Sequence, residues 1–370
     1  MENTNNGFRL KQGARGPLVV KIGSNVLTRK DGTLDVTRMS ALVDQVAELR
    51  RNGREVILVS SGAVASGRSE IKASKKLDSV DQRQLFSAVG QAKLINRYYE
   101  LFREHHIAVG QVLTMKESFS TRRHYLNQRN CMMVMLENGV IPIVNENDTI
   151  SVTELMFTDN DELSGLIATM MGAEALVILS NIDGIYNGSP RDPKSKVIRV
   201  IEPGLDVSDY VQTEKSGFGR GGMITKTSIA SRVAAEGIPV VIANGKRDNI
   251  LLDLVNKPEE TPHTLFVANG EGVSSVKKWI AHSAGFAKGR IIVNDEAVKT
   301  LRGKKATSLL PVGVTAIEGE FEKDDIVKII DAKGREIGIG RSAYGSDEAA
   351  KVVGQHGQRP LVHYDYLYIE

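Results

Sequence analysis

Cysteine is almost missing from this chain: Cys131 stands alone in 370 residues, which excludes an internal disulfide and any multi-cysteine metal site. It lies in CMMVML, an apolar run at helical spacing, and is expected to be a buried core residue rather than a nucleophile. Long apolar runs are missing too. No stretch could span a bilayer, and the opening MENTNNGFRLKQGARG lacks the apolar core of a secretion signal, so a cytoplasmic protein with no membrane partner is expected. Charge of one sign is not in excess: 48 Lys and Arg against 45 Asp and Glu leave +3, too little to demand a polyanionic partner. Aromatics make up 5%. What is present is ordinary, with 41% hydrophobic and 25% charged residues, the composition of a globular protein with a sizeable core. The length suits two domains better than one.

Up to about residue 250 two periodicities alternate. LVVKIG from Leu18, EVILVS from Glu55, IPIVN from Ile141, ALVILS from Ala175 and IPVVIAN from Ile238 are short β-branched runs that predict buried strands. Between them lie helical patterns. The first places Val36, Met39, Leu42, Val43, Val46 and Leu49 at intervals of three and four, with Asp35 able to cap its start and Gly53 its end. Others are QLFSAVGQAKLINRYYELF, the segment around Cys131, ELSGLIATMMG and TKTSIASRVAAEG. Strands without polar alternation must be covered on both faces. The expected fold class is therefore α/β, a three-layer αβα sandwich with a mostly parallel central sheet, and ligands are expected beyond the carboxyl ends of its strands.

Those ends carry polar and small residues. The first strand delivers Lys21, Gly23, Ser24 and Asn25; the second delivers SSGAVASG from Ser60; the strand at 141 runs into Asn145 to Thr149; Asp159 to Asp161 open a helix; the strand at 175 ends in SNIDGIY. Later, SGFGRGGMITK (Ser216 to Lys226) fits G-x-G-x-x-G at 217, 219 and 222. The dinucleotide reading fails on context, because DVSDYVQTEKS before it holds no strand. Walker A fails because Met223 follows the last glycine. A glycine loop entering a helix with Thr225 and Lys226 in its first turn suits an anion, with phosphate the natural one. Two lysines at separate sheet-edge loops point to phosphoryl transfer, in which positioning and cationic stabilisation do most of the catalysis. A carboxylate acceptor, with a pKa of about 4.3, would be ionised already and need no base. G-x-S-x-G, H-E-x-x-H and C-x-x-C are all missing, and the seven histidines are scattered or lie in the C-terminal part.

VVKIGSNVLT, VILVSSGAVASG, PIVNENDTI, the DND before a helix and GRGGMITK together resemble the glutamate 5-kinases of the amino-acid kinase family, over nearly the whole chain. The resemblance implies phosphoryl transfer from ATP, with Mg2+, to the γ-carboxylate of L-glutamate, giving L-glutamyl 5-phosphate at the start of proline biosynthesis. By motif, Lys21 matches the lysine on the phosphoryl group in transit, and Lys226 the one that neutralises charge on the nucleotide side. Asp161 matches the carboxylate holding both. Ser61, Asp148 and Asn160 match the substrate-binding positions, with Asn145 and Asn147 as neighbours and Asp148 facing the α-ammonium. Ser180, Asn181, Arg220, Gly221, Gly222, Met223, Ile224, Thr225 and Lys226, with Lys21, match the ATP site. Two departures stand out: Ser180-Asn181 replaces the usual Thr-Asp, removing a carboxylate near the nucleotide and leaving the magnesium ligands unassigned, and Arg220 replaces a threonine. The resemblance also implies proline as feedback inhibitor, a homodimer or homotetramer, and glutamate-5-semialdehyde dehydrogenase as downstream partner. Aspartate kinase, acetylglutamate kinase and nucleoside monophosphate kinases are the rivals within the family; the SSGA, NENDT and DND set favours glutamate.

Two domains are expected, residues 15–267 and, after a Gly/Ser-rich linker at about 268–275, residues 276–370 as a small β-rich unit. SSVKKWI, GRIIVNDEAV, SLLPVGV, EGEF and DIVKIID resemble a PUA domain. This raises an RNA-binding alternative, with Lys277, Lys278, Trp279, Lys304 and Lys305 as its surface. Interspersed acidic residues (Asp295, Glu296, Glu318, Glu320, Glu322, Asp324, Asp325) break any basic stripe, so RNA is the weaker expectation.

Overall fold

In the computed structural model the described residues are 16–71, 77–119, 122–150, 159–190, 192–205, 222–269, 280, 287–303 and 307–369. The chain divides into two compact units, one built from residues up to 118 with 126–272, the other from 119–125 with 273 onward.

The larger unit follows the β-branched runs. β1 (Leu18–Ile22) leads through the short α1 (Ser24–Leu27) to α2 (Val36–Arg51), then to β2 (Val56–Ser60), α3 (Ala63–Arg68) and α4 (Ser79–Arg103). β3 (Val109–Thr114), α5 (Arg122–Glu137) from Leu126 onward, β4 (Ile141–Glu146), α6 (Asn160–Met171), β5 (Ala175–Ser180), β6 (Val200–Ile201), α7 (Met223–Ala235), β7 (Val240–Asn244), α8 (Ile250–Asn256) and β8 (His263–Phe266) complete it. The eight strands lie in the order β3-β4-β2-β1-β5-β7-β8-β6. All pair in parallel except β7 with β8. The carboxyl ends of β1, β2, β4 and β5 therefore share one edge.

Pleating decides which residues meet which helices. Leu18, Val20 and Ile22 join the cluster formed with Met39, Leu42, Val46, Leu94, Tyr98, Phe102, Ile250 and Leu254, so α2, α4 and α8 cover one face. Val19 and Lys21 alternate to the opposite face, where α6 packs against β1 and β5 and α7 packs against α6 and β7. Each fully buried Leu or Ile on these faces contributes roughly 1.5–3 kcal/mol over its exposed state. The caps agree with the sequence. Asp35 accepts from the Arg38 amide at the start of α2, and Gly53 follows its end with φ of +81°.

Three strands of this unit were not expected from the sequence. β3 is an edge strand in which only Val112 and Thr114 are buried, and Gly110 and Gln111 interrupt its apolar run; β6 is two residues long; β8 is four residues long and follows Pro262. The expectation for Cys131 is wrong: it is exposed on α5. In that helix Met132 and Leu136, one turn apart, take the buried stripe, and Cys131 sits about 100° around the helix from Met132.

In the smaller unit β9 (Gly289–Val293), β10 (Val314–Glu318), β11 (Ile326–Asp331), β12 (Glu336–Ser342) and β13 (Val362–Ile369) form a five-stranded sheet in the order β10-β9-β11-β12-β13, with short helices at Asp295–Leu301 and Ser346–Val352. Only the β9–β11 pairing is parallel. Ile291, Val293, Val327, Ile329, Ile337, Leu361 and Val362 are among its core residues. Lys277, Lys278, Trp279, Lys304 and Lys305 lie outside the described residues, as does most of the expected linker.

Candidate active site

Three charged side chains meet at the shared strand edge. Lys21, on the α6 side of β1, places its Nζ 2.6 Å from Asp161 Oδ1. Lys226, in the first turn of α7, places its Nζ 2.9 Å from Asp161 Oδ2. Asp161 is fully buried, and the lysines are 4% and 9% exposed. Two helices and a strand must converge for this, and Gly165 lets them: a Cβ there would come within 2.9 Å of Ile229 and 3.0 Å of Val233 on α7. Gly165 stands about one turn beyond Asp161, and Ile229 about one turn beyond Lys226, so the close α6–α7 approach fixes the gap that Asp161 spans. Two ammonium groups thus converge on one carboxylate, which sets two fixed cations side by side where an anionic group could approach them.

Asp159 and Asp161 stand side by side with opposite behaviour. Burial works to raise the Asp161 carboxyl, but the two ammonium groups overcome it and hold Asp161 in the ionised form. Asp159 caps α6 through the amides of Asp161 and Glu162. Burial first, and then the Asp161 charge, push it up to about 6. An unfolded aspartate titrates near ~3.9, so the folded chain holds the extra proton and stability falls as pH climbs from about 4 to about 6. Asp159→Asn keeps a good cap and removes that titration. Thermal unfolding at several pH values should show wild type losing stability relative to Asp159→Asn across this window; parallel curves would refute the shift.

The polar loops of β2 and β4 meet the start of α6 through side-chain amides. Asn160 Nδ2 donates to Ser61 Oγ at 2.9 Å and to Asn145 Oδ1 at 3.0 Å. Asn145 Nδ2 in turn donates to Gln91 Oε1 on α4 at 2.8 Å. Asp148 pairs with Arg83 of α4, whose guanidinium also holds Glu146 at 2.7 Å. Asn147 lies between these carboxylates, and its Oδ1 accepts from Thr149. At the end of β5, Ser180 is buried and its Oγ lies 3.4 Å from Asn181 Oδ1. Gly222 is the N-cap of α7 and has no side chain of its own to cap it, and the first amides of a helix are donors that suit an anion; Met223, Ile224 and Thr225 stand in its first turn, with Ile224 exposed. Arg220 and Gly221 lie outside the described residues.

The structure thus gathers Lys21, Asp161 and Lys226 into one cluster and Ser61, Asn145 and Asn160 into a second. Adjacent residues of α6 join the two. Asp159, Arg83 and Gln91 were not singled out by role from the sequence. The spacing of Asp159 and Glu162 is a helix-start signal that points to the first; Arg83 and Gln91 read as ordinary polar positions of a long helix. Among the described residues no group of three His, Cys, Asp or Glu is placed to hold a metal ion, and no helix is long and apolar enough to cross a membrane.

Residues 16–244 match the amino acid kinase family and residues 289–364 match the PUA domain. A glutamate 5-kinase of Bacteroides thetaiotaomicron is 72% identical over 353 residues, 95% of this chain and 98% of that one. A glutamate 5-kinase of Chlorobaculum tepidum is 44% identical over 354 residues, 95% of this chain and 97% of that one. A solved isopentenyl phosphate kinase in complex with substrate shares 17% identity and a TM-score of 0.48, covering 67% of this chain and 99% of its own.

Proposed function

This chain belongs to the amino acid kinase family, in its glutamate 5-kinase branch, and we propose that the Lys21–Asp161–Lys226 cluster is where it passes the γ-phosphoryl group of ATP to the γ-carboxylate of L-glutamate. Glutamate 5-kinase activity, the first step of proline biosynthesis from glutamate, is the function of this branch and of this chain. The observation that carries the site assignment is the buried pair of ammonium groups held on one carboxylate at the strand edge.

The chemistry follows from charge. The γ-carboxylate of glutamate, with a pKa near ~4.3, arrives ionised and attacks phosphorus without losing a proton. The difficulty is bringing one anion to another and stabilising the charge that spreads over the phosphoryl oxygens. Lys21 and Lys226 supply that stabilisation from fixed positions, and Asp161 keeps them from drifting apart. The amides at the start of α7 suit the nucleotide phosphates. Mg2+ fits as an ion carried on those phosphates rather than in a protein cage, which is its usual habit; when bound it neutralises phosphate charge. The cluster of Ser61, Asn145 and Asn160, with Asp148, forms the glutamate side, and Ser180, Asn181 and Gly222 to Lys226 form the nucleotide side.

The phosphotransfer unit is residues 15–267, with 276–370 appended to it. Proline, which carries the same α-carboxylate and a secondary ammonium, competes for the glutamate side. The acyl phosphate product is labile, which favours handing it directly to glutamate-5-semialdehyde dehydrogenase, and the family resemblance implies a homodimer or homotetramer. The test of the reaction is ADP release with MgATP and L-glutamate, L-aspartate, N-acetyl-L-glutamate or UMP, with hydroxylamine trapping any acyl phosphate. Hydroxamate from L-glutamate alone is expected; turnover with another acceptor in its place overturns the glutamate assignment.

A further inference from the structure

We infer that Gln91 is a positioning residue that sets the direction of hydrogen bonding on the glutamate side of the site, and so decides which groups of the acceptor can be recognised there. The inference rests on the proposal that this side holds L-glutamate. Gln91 projects from α4, a helix that carries none of the residues assigned to substrate or nucleotide. Its Oε1 accepts from Asn145 Nδ2 at 2.8 Å. That bond turns the Asn145 carbonyl oxygen toward Asn160, whose Nδ2 reaches it at 3.0 Å. The second proton of the same Nδ2 goes to Ser61 Oγ at 2.9 Å.

Each amide has one accepting and one donating end, so the direction chosen at Gln91 is inherited along the chain. Asn160 spends both protons inside the protein, which leaves its carbonyl oxygen as an acceptor for a ligand. Ser61, already accepting, keeps its own proton to donate. An acceptor beside a hydroxyl donor matches a substrate that brings an ammonium group and a carboxylate. Reversed, the same side chains would offer an amide donor instead, and would repel the ammonium group. Asn145 is 3% and Ser61 7% exposed, so a mismatched direction cannot be repaired freely by water. Asn145 and Asn160 each have two ends alike in shape, so both directions close between Asn145 and Ser61; the direction seen is the one in which Gln91, anchored on α4, offers its carbonyl oxygen to Asn145.

The test is a series at one position in the full chain, read as glutamyl hydroxamate formation with separate KM values for L-glutamate and ATP. Gln91→Glu can only accept and keeps the direction, so its KM for L-glutamate stays within about threefold of wild type. Gln91→Leu removes the anchor and raises that KM about tenfold, the size of one hydrogen bond. Gln91→Lys can only donate and raises it further. kcat and the KM for ATP change little throughout. A Gln91→Glu variant as impaired as Gln91→Leu, or a series with flat glutamate KM, overturns the inference. Because Gln91→Glu adds a charge at a half-buried position, a merely structural role predicts the opposite ranking, with Leu the milder change. The wild-type control separates the two readings: no glutamyl hydroxamate from wild type overturns the function, whereas a flat series on an active wild type overturns only the role of Gln91.

Discussion

Lys226→Ala lowers kcat by about 10²–10³-fold, the usual cost of removing one preorganised charge-stabilising donor, while the KM for L-glutamate moves by less than threefold. The asymmetry comes from where Lys226 stands. From the first turn of α7 its ammonium reaches Asp161 Oδ2, away from the Ser61–Asn145–Asn160 cluster proposed to face the acceptor. It therefore acts on charge that grows during transfer rather than on ground-state glutamate, and such interactions appear in kcat. Fold stability should survive, because the remaining Lys21–Asp161 pair still neutralises the buried carboxylate. Asp161→Ala, by contrast, leaves two ammonium groups close together in a buried site and should cost about 3–5 kcal/mol. Steady-state kinetics and urea unfolding on both variants check this. An unchanged kcat for Lys226→Ala would remove Lys226 from the chemistry.

Much of this site is legible in the chain because strand ends are. Once LVVKIG and ALVILS are parallel strands, Lys21 must lie near the carboxyl edge, and simple alternation puts it on the face opposite Val20. The capping spacing of Asp159 and Glu162 announces where α6 begins, and so where Asn160 and Asp161 emerge. The contribution of α4 is not legible. Arg83, Gln91 and Tyr98 act on Glu146, Asn145 and Ser60, respectively, partners 38 or more residues away in sequence, and periodicity reports only which face of a helix is apolar. Tyr98 shows the limit well. Read as one more apolar residue of its stripe, it is fully buried, yet its hydroxyl meets Ser60 Oγ at 2.8 Å, directly beneath the loop that carries Ser61. Cys131 fails for a related reason: a run of six apolar letters contains more hydrophobic residues than one helical stripe can bury, and composition does not say which are left outside.

Gly90→Ala should destabilise the larger unit by about 3 kcal/mol, although alanine is the better helix former by roughly 1 kcal/mol. The two effects oppose each other and geometry decides between them. A Cβ at position 90 would lie 1.8 Å from the Ala63 carbonyl oxygen and 2.4 Å from the Gly67 nitrogen. Both are backbone atoms, so no rotamer change relieves the clash. The contact is reciprocal, since a Cβ at Gly67 would lie 1.9 Å from the Phe86 carbonyl oxygen. α3 and α4 thus touch backbone to backbone, and one methyl group must push the whole of α3 away. That movement reaches the site, because α3 starts directly after Ser61 and Gly62, where Gly62 turns with φ of +113°. Melting should fall by on the order of 10 °C, and the KM for L-glutamate should rise in the protein that remains folded, while the KM for ATP, whose proposed site is on β5 and α7, should hold. Melting unchanged from wild type would mean that helix propensity outweighs the contact, and that α3 is free to move without disturbing Ser61.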